Sequence, residues 1–422
     1  MKISGSPYLN KNTEVLFATF SRYEKGVRLP TNGMVEPMLA YFVPKVRTFT
    51  LIDQPHPVSD TISPIVEIYR SGKLVKKYIL PSWTYLPIYL YCLMERTGLT
   101  RLSYKLRDVC SVLIVALTER RKYDLFIGLE GANVLAGLLL KKLGKVRKVT
   151  YYVSDYSPNR FSKYGKKILN TIYVLLDRFC VKHADFTWDV SPAMLKGRIS
   201  AGLKPLDGKR VINVPNGLFS SQIKSLPPEK RNQNYLVYLG ILDPDMGPDL
   251  AIRALVEVLK DYPKITLQII GGTKEDIRVL EKLVTKLHLG KSVFFHGFIK
   301  DNEAMASLVR KCYIGLAPYR SFPESIRWYG DAGKIRQYLA SGLPIVTTNV
   351  PPLGRFVAEK GAALMTKDNV SDFSGTILKL LRDENLYEQL SQAAIKLARN
   401  NTWNNSYNSA FEKMTALKNK II

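Results

Sequence analysis

Short apolar runs alternate with helix-length amphipathic segments from one end of the chain to the other, the sequence signature of parallel sheets covered by helices. In the first half the runs Val15–Phe20, Thr48–Ile52, Tyr123–Leu129, Val149–Val153, Phe186–Val190 and Arg210–Val214 predict strands. Helices are predicted between them, including Ala132–Leu143 and Lys166–Cys180, and Val66–Ile79 predicts a hairpin turning at Ser71-Gly72. The stretch Ser220–Asn234 has no periodicity and is rich in Pro, Ser, Gln and charge, which marks a surface linker.

Beyond it the alternation restarts. Strands are predicted at Tyr235–Leu239, Ile265–Ile270, Val293–Phe298, Tyr313–Ala317 and Pro344–Thr348, and helices at Pro248–Leu259, Glu275–Leu287, Glu303–Lys311 and Lys334–Ala340, with a helical C-terminus. The reading is an α/β protein with two Rossmann-like domains, residues 1–219 and 235–400, joined by the linker 220–234. Ligands of such sheets sit beyond the carboxyl ends of the strands, so two of them imply a cleft.

The 422 residues suffice for two domains, and 46% hydrophobic with 23% charged residues is ordinary for a globular chain. The charge balance is not ordinary: 62 Lys+Arg stand against 36 Asp+Glu, a surplus of 26. Residues 1–218 hold 34 basic and 16 acidic side chains, so the first half carries most of it. Basic clusters lie at Arg120-Arg121-Lys122, from Lys141 to Lys148, and at Arg160, Lys163, Lys166 and Lys167. Such a surplus points to a polyanionic partner or surface. No helix-turn-helix, zinc-finger or RNA-binding signature accompanies it, so nucleic acid is not the expected partner.

Cys92, Cys110, Cys180 and Cys312 are widely spaced and suggest neither a disulfide framework nor a zinc ribbon. Together with a polar N-terminus they lead to the expectation of a cytoplasmic protein. The longest uncharged stretch, Tyr78–Met94, is too short to span a bilayer and holds Pro81 and Pro87. Its aromatic residues Trp83, Tyr85, Tyr89 and Tyr91 suit either a membrane-interface patch or core packing.

The most informative stretch runs from Ala317 to Thr348. A strand ends, a loop follows, and Gly330-Asp331-Ala332-Gly333-Lys334 opens a helix. Helix N-termini present unpaired N–H groups and a positive dipole end, and glycines admit an anion close to the backbone. A diphosphate fits there, with Lys334 as a point charge; an Asp331 N-cap beside an exposed lysine is the plain alternative.

This segment, with Tyr338-Leu-Ala-Ser-Gly-Leu-Pro-Ile-Val after it, resembles the donor-binding region of two-domain GT-B glycosyltransferases of retaining family 4. The resemblance extends through Val237–Leu242, Gly247–Ile252, Gln268–Gly272 and Val293–Gly297 in the second half. In the first half it covers Tyr151–Arg160, Ala184–Ser191 and Val214–Gly217. Trp403 is similar to the start of the family's last helix, so residues 401–422 are expected to cross back onto the first domain.

The resemblance implies transfer of a sugar, with retention, from a UDP- or GDP-linked donor to a glycan or lipid-linked acceptor, without a metal or other cofactor. It assigns Gly240, His296, Tyr319, Tyr329, Gly330, Gly333, Lys334 and Gln337 to the donor. Two departures qualify it: the slots of the family's paired carboxylates hold Tyr329 and Gln337, and the usual basic residues are missing from Gly240–Gly247. Gln337 can still bond ribose hydroxyls, Tyr329 or Asp331 would meet the sugar, and Lys334 with Arg320 or Arg327 would hold the phosphates. Asp243-Pro-Asp245 has the letters of a metal motif but reads as turn chemistry.

Asp155 ends a strand where the family places a cleft-facing His or Asp, and is expected either to touch the reacting sugar or acceptor or to cap a helix. The loop Arg22–Gly33 resembles the glycine-bearing loop under the donor, with Arg22, Lys25, Gly26 and Gly33 lining the acceptor side. An anionic membrane face is the expected setting, since clustered Lys and Arg are attracted to anionic headgroups. A nucleotide-sugar 2-epimerase and a catalytically degenerate glycan-binding protein are the alternatives on the same fold.

Overall fold

The computed structural model describes residues 7–29, 33–84, 90, 93, 96, 100–161 and 167–419. Among them the chain separates into two compact units. The N-terminal unit comprises Met1–Val190, Met194–Pro215 and Ser406–Ile422; the C-terminal unit comprises Ser191–Ala193 and Asn216–Asn405.

In chain order the N-terminal elements are β1 (Glu14–Glu24), β2 (Val27–Leu29), α1 (Val35–Phe42), β3 (Thr48–Pro55), β4 (Ile65–Arg70), β5 (Lys73–Ile79), α2 (Thr100–Thr118), β6 (Tyr123–Leu129), α3 (Gly131–Lys142), β7 (Val146–Val153), α4 (Lys167–His183), β8 (Phe186–Asp189), α5 (Pro192–Ser200) and β9 (Val211–Asn213). Their sheet runs β5-β4-β3-β1-β6-β7-β8-β9, with β2 folded back on β1. From β3 to β9 all pairings are parallel, and β4 and β5 close one edge as an antiparallel hairpin. Ser71 and Gly72 turn that hairpin with φ of 46° and 87°, the left-handed pair that matches strand twist.

The C-terminal unit continues with β10 (Tyr235–Leu239), α6 (Pro248–Asp261), β11 (Thr266–Ile270), α7 (Lys274–Lys286), β12 (Val293–Gly297), α8 (Asn302–Arg310), β13 (Ile314–Ala317), α9 (Gly333–Ser341), β14 (Ile345–Thr348), α10 (Pro352–Glu359), β15 (Ala363–Thr366), α11 (Val370–Arg382) and α12 (Glu384–Asn400), and α13 (Trp403–Asn419) leaves it. Its six strands are all parallel, in the order β12-β11-β10-β13-β14-β15. Residues 220–234 lie on this unit, with Arg231 buried and bonded to Leu226 O, Tyr387 Oη and Ser391 Oγ.

Two expectations need correction. The stretch after Thr348 is not wholly helical, because the short edge strand β15 intervenes; four residues are too few to reveal a period of two. The segment from Arg22 onward is not a loop through to Gly33. β1 runs on to Glu24, and Lys25 and Gly26, at φ 51° and 72°, turn it into β2. That hairpin is tied down from inside: Arg28 Nε lies 2.6 Å from Asp53, Tyr23 Oη donates to the same carboxylate at 2.6 Å, and Arg28 Nη2 reaches Glu67 at 3.0 Å.

Aromatic residues fasten α13 to the N-terminal unit. Tyr407 packs at a tilt against Tyr41 with 4.9 Å between ring centroids, Phe411 meets Phe42 at 5.8 Å and Trp188 at 5.7 Å, and Tyr41 Oη donates to Asn408 at 2.8 Å. These rings are buried, so this last helix completes the core of the unit that began the chain.

Deep in the same unit, fully buried Arg198 spans two carboxylates, with Nε 2.7 Å from Asp177 and Nη1 2.5 Å from Asp189. Removing the cation would leave two buried anions without compensation. Arg198→Leu is expected to destabilise the protein by about 3–5 kcal/mol in denaturant unfolding; a loss below about 1 kcal/mol, typical of exposed pairs, would contradict this reading.

Candidate functional site

In the C-terminal sheet the strand order reverses between β10 and β13, and their ladder ends at Tyr238 and Leu316. Where the strands part, Tyr338 of α9 fills the gap: its hydroxyl accepts Leu239 N–H at 2.9 Å and lies 3.0 Å from Leu316 O. The tyrosine ring fits because Gly315 has no side chain; a Cβ there would stand 2.5 Å from the ring. The interaction anchors α9 over the crevice where such sheets bind ligands.

Lys334, in the first turn of α9, is drawn inward. It is 6% exposed, its ammonium lies 3.7 Å from the centroid of the Tyr238 ring and 4.8 Å from that of Tyr319, and no acceptor bonds it. Its aliphatic stem passes Gly240, which follows β10 at φ 127°; a Cβ there would lie 3.5 Å from Lys334 Cε. Burial, and secondarily the nearby Arg327 guanidinium, pushes the Lys334 ammonium well below the usual lysine range. Cation–π contacts offset part of the lost hydration, but they do not replace a counter-ion. Arg327 Nε is likewise buried without a partner. Two cations side by side at an N-terminus whose cap, Ala332, supplies no side-chain acceptor describe a place for a multivalent anion.

Other residues of the loop build the site rather than face a ligand. Asp243 caps a turn by accepting Asp245 N–H at 3.0 Å, and Asp245 accepts Ser325 Oγ at 2.9 Å, so the Asp-Pro-Asp letters serve loop structure. Gly247, at φ 69°, faces Pro318 O so closely that a Cβ would be 1.7 Å away. Arg320, one of the two arginines expected to serve phosphate, is engaged by Asp368 at 3.0 Å and Asp249 at 3.5 Å. Asp331 is not the presented carboxylate that was expected. Its Oδ2 accepts from Arg336 Nη2 at 2.7 Å and Nε at 3.0 Å and from Asn216 N–H at 3.1 Å, and its side chain is almost wholly covered. It anchors the start of α9 to the chain segment entering this unit.

Gly240, Tyr319, Gly333 and Lys334 therefore come together at the switch point. Tyr329 and Gly330 close the turn before α9, and Gln337 lies half-buried one turn along it. His296 lies apart, near the end of edge strand β12, two strands or roughly 10 Å from β10. Its Nε2 is 2.8 Å from Gln268 Oε1. Sequence reasoning missed Tyr238, whose position on a buried strand is indistinguishable from core.

In the N-terminal unit Asp155 is partly exposed after β7, with Arg160 Nη1 2.7 Å from its carbonyl and 3.5 Å from its carboxylate. No helix starts within residues 156–161, so it caps none there. Arg22 pairs with Glu24 at 2.5 Å, the Lys25 N–H donates to Asp60, and Gly33 precedes α1 at φ 62°. Lys163, Lys166, Tyr85, Tyr89 and Tyr91 lie outside the described residues. A residue not singled out from the sequence is Glu130, directly after β6, at φ 67° and ψ 157°. That backbone is essentially reserved for glycine and costs ~1–3 kcal/mol elsewhere.

Residues 221–397 match the family described as glycosyl transferases group 1. That match covers most of the C-terminal unit. An uncharacterized glycosyltransferase of Methanocaldococcus jannaschii is 23% identical over 355 residues, covering 81% of this chain and 85% of the relative. Among solved structures, sucrose-phosphate synthase from Thermosynechococcus elongatus superposes with a TM-score of 0.67 at 14% identity, over 97% of this chain and 99% of that one. Anabaena HepE in complex with UDP gives 0.65 at 15% identity, over 96% and 100%. The fold is thus GT-B, with two sheet-containing α/β units.

The unpaired lysine has a thermodynamic signature. Its folded-state pKa lies below the unfolded value of about 10.4, so the unfolded chain binds more protons between the two, and stability rises with pH across that window. Lys334→Met is expected to remove this rise and to stabilise the ligand-free protein by about 1–4 kcal/mol. Thermal unfolding at pH 7 to 10 checks both; a destabilised variant would show that the ammonium has a partner.

Proposed function

We propose that this protein is a glycosyltransferase that binds the diphosphate of a nucleotide-sugar between Lys334, Arg327 and the first amides of α9, and moves the sugar with retention of configuration to a hydroxyl acceptor. The observation that carries the reading is the buried ammonium of Lys334, held without a counter-ion at the sheet's switch point. Charge builds on the leaving diphosphate as the glycosidic bond breaks, and donors fixed in a desolvated site stabilise that charge more than water can. Gly240 leaves the backbone open to the phosphates, Gln337 suits ribose hydroxyls and Tyr329 the sugar, a division of roles that rests on the family resemblance. UDP is the first candidate base, because HepE, a relative by fold, has been solved with UDP.

Thermal stabilisation by UDP, GDP and their glucose conjugates tests the donor site, since a ligand at 100 times its Kd adds about 2.7 kcal/mol. One base is expected to shift the wild type and to leave Lys334→Ala unmoved. A shift retained in Lys334→Ala, or none with any nucleotide, refutes the assignment.

We further propose that the enzyme works at an anionic membrane face on a lipid-linked or membrane-proximal glycan. No helix among the described residues is long and apolar enough to cross a membrane. Support comes instead from α4, where Ile168, Ile172, Leu175 and Phe179 recur at helical spacing and are all exposed, Ile168 by 80%. Lys167 and Lys182 flank this stripe, and Trp83 elsewhere on the unit is 78% exposed. Co-sedimentation with phosphatidylglycerol vesicles but not phosphatidylcholine vesicles is expected, weakened at least several-fold in Ile172→Glu/Leu175→Glu. Equal sedimentation with both vesicle types would refute it.

A further inference from the structure

The N-terminal sheet also has a switch point. The chain builds from β1 to β3 on one side and returns to β6 on the other, so the crevice opens at the carboxyl ends of β1 and β6. Glu130 is the first residue beyond β6, in a backbone conformation that glycine alone adopts freely, although its neighbour Gly131 is a glycine.

That conformation aims a carboxylate at basic groups from three other segments. Lys105 of α2 bonds it directly, and Arg160 beyond β7 and His56 beyond β3 lie close enough to act on it electrostatically. The side chain nonetheless remains 31% exposed. A partly exposed ion pair is worth too little to account for such a backbone.

We propose that Glu130 is an acceptor-binding residue, whose carboxylate receives a hydrogen bond from a hydroxyl of a sugar or polyol acceptor at the carboxyl end of β6. This rests on the reading of the chain as a glycosyltransferase. An ionised carboxylate only accepts hydrogen bonds, so its ligand must donate one. The Glu130 carboxylate is already neutralised by Lys105, with Arg160 close by, so a further cationic ligand gains little there, which leaves the neutral hydroxyl. The strained backbone fixes the oxygen on a rigid strand end, as a binding group requires.

Saturation-transfer NMR with n-octyl glucoside, together with the UDP-induced thermal shift, tests the assignment on wild type, Glu130→Gln, Glu130→Ala and Glu130→Gly. The glucose-ring protons are expected to receive saturation in the wild type. The three variants should raise the Kd for octyl glucoside by about 10-fold or more, with the nucleotide shift unchanged. Glu130→Gly should melt above Glu130→Ala, the reverse of the usual order, because only glycine takes this backbone without strain. Unaltered ring saturation in the variants, or its absence in the wild type, overturns the acceptor role. An alanine variant that melts at or above the glycine variant overturns the strain argument on which it stands. Loss of the nucleotide shift in the wild type refutes the proposed donor site instead, a separable failure.

Discussion

A positive charge held out of water without a counter-ion is the constraint around which the C-terminal unit is organised. An ammonium in such a place is tolerated only if everything around it is fixed, since any local opening would let it hydrate. The surroundings meet that requirement. Tyr338 bolts α9 to the parted strands β10 and β13, and Asp331 with Arg336 fastens the helix start to Asn216. Gly247 and Pro318 close the adjoining loops to van der Waals contact. The rings of Tyr238 and Tyr319 supply the negative faces that make the position survivable. Each of these is a stabilising interaction, and together they hold one destabilising group where a diphosphate would be met by ready-made charge.

The alternation of strands and helices was legible because both sheets are parallel and buried, so their strands read as plain apolar runs. Lys334 was legible because it adjoins a glycine-bearing helix start after a strand. What surrounds it was not. Tyr238 looks like core because it is core, and only the fold shows that its face supports a cation. Arg320 and Arg327 lie in one loop and cannot be ranked by sequence. The fold decides between them by bringing Asp249 and Asp368 to Arg320 and leaving Arg327 Nε unbonded. Asp331 misled for a related reason, as its partner Arg336 sits one helical turn away on the inner face, where a basic residue is not expected.

Backbone conformation is the other kind of information that composition hides. Positive φ is announced by glycine or asparagine, and the hairpins at Ser71-Gly72 and Lys25-Gly26 carry that announcement in their second residue. Glu130 carries none, since the glycine stands one place too late. The same holds for the length of β1: Ser21 to Glu24 are polar and read as loop, yet Tyr23 and Arg28 turn inward onto Asp53 and make the hairpin part of the interior. A buried salt-bridge network replaces the apolar contact that pattern reasoning looks for.

The two units thus use one architectural opportunity in opposite ways. At each switch point the sheet offers a crevice lined by strand ends, free of ladder hydrogen bonds and near a helix start. In the C-terminal unit that crevice is tensioned by desolvation, with a cation starved of an anion. In the N-terminal unit it is tensioned by backbone strain, with an anion already paired with Lys105. A charge-starved site selects for a ligand of opposite charge, whereas a charge-satisfied one selects for hydroxyls and discriminates against ions. On the proposed assignments, that difference is what would tell a phosphorylated donor from a hydroxylic acceptor when both are sugars.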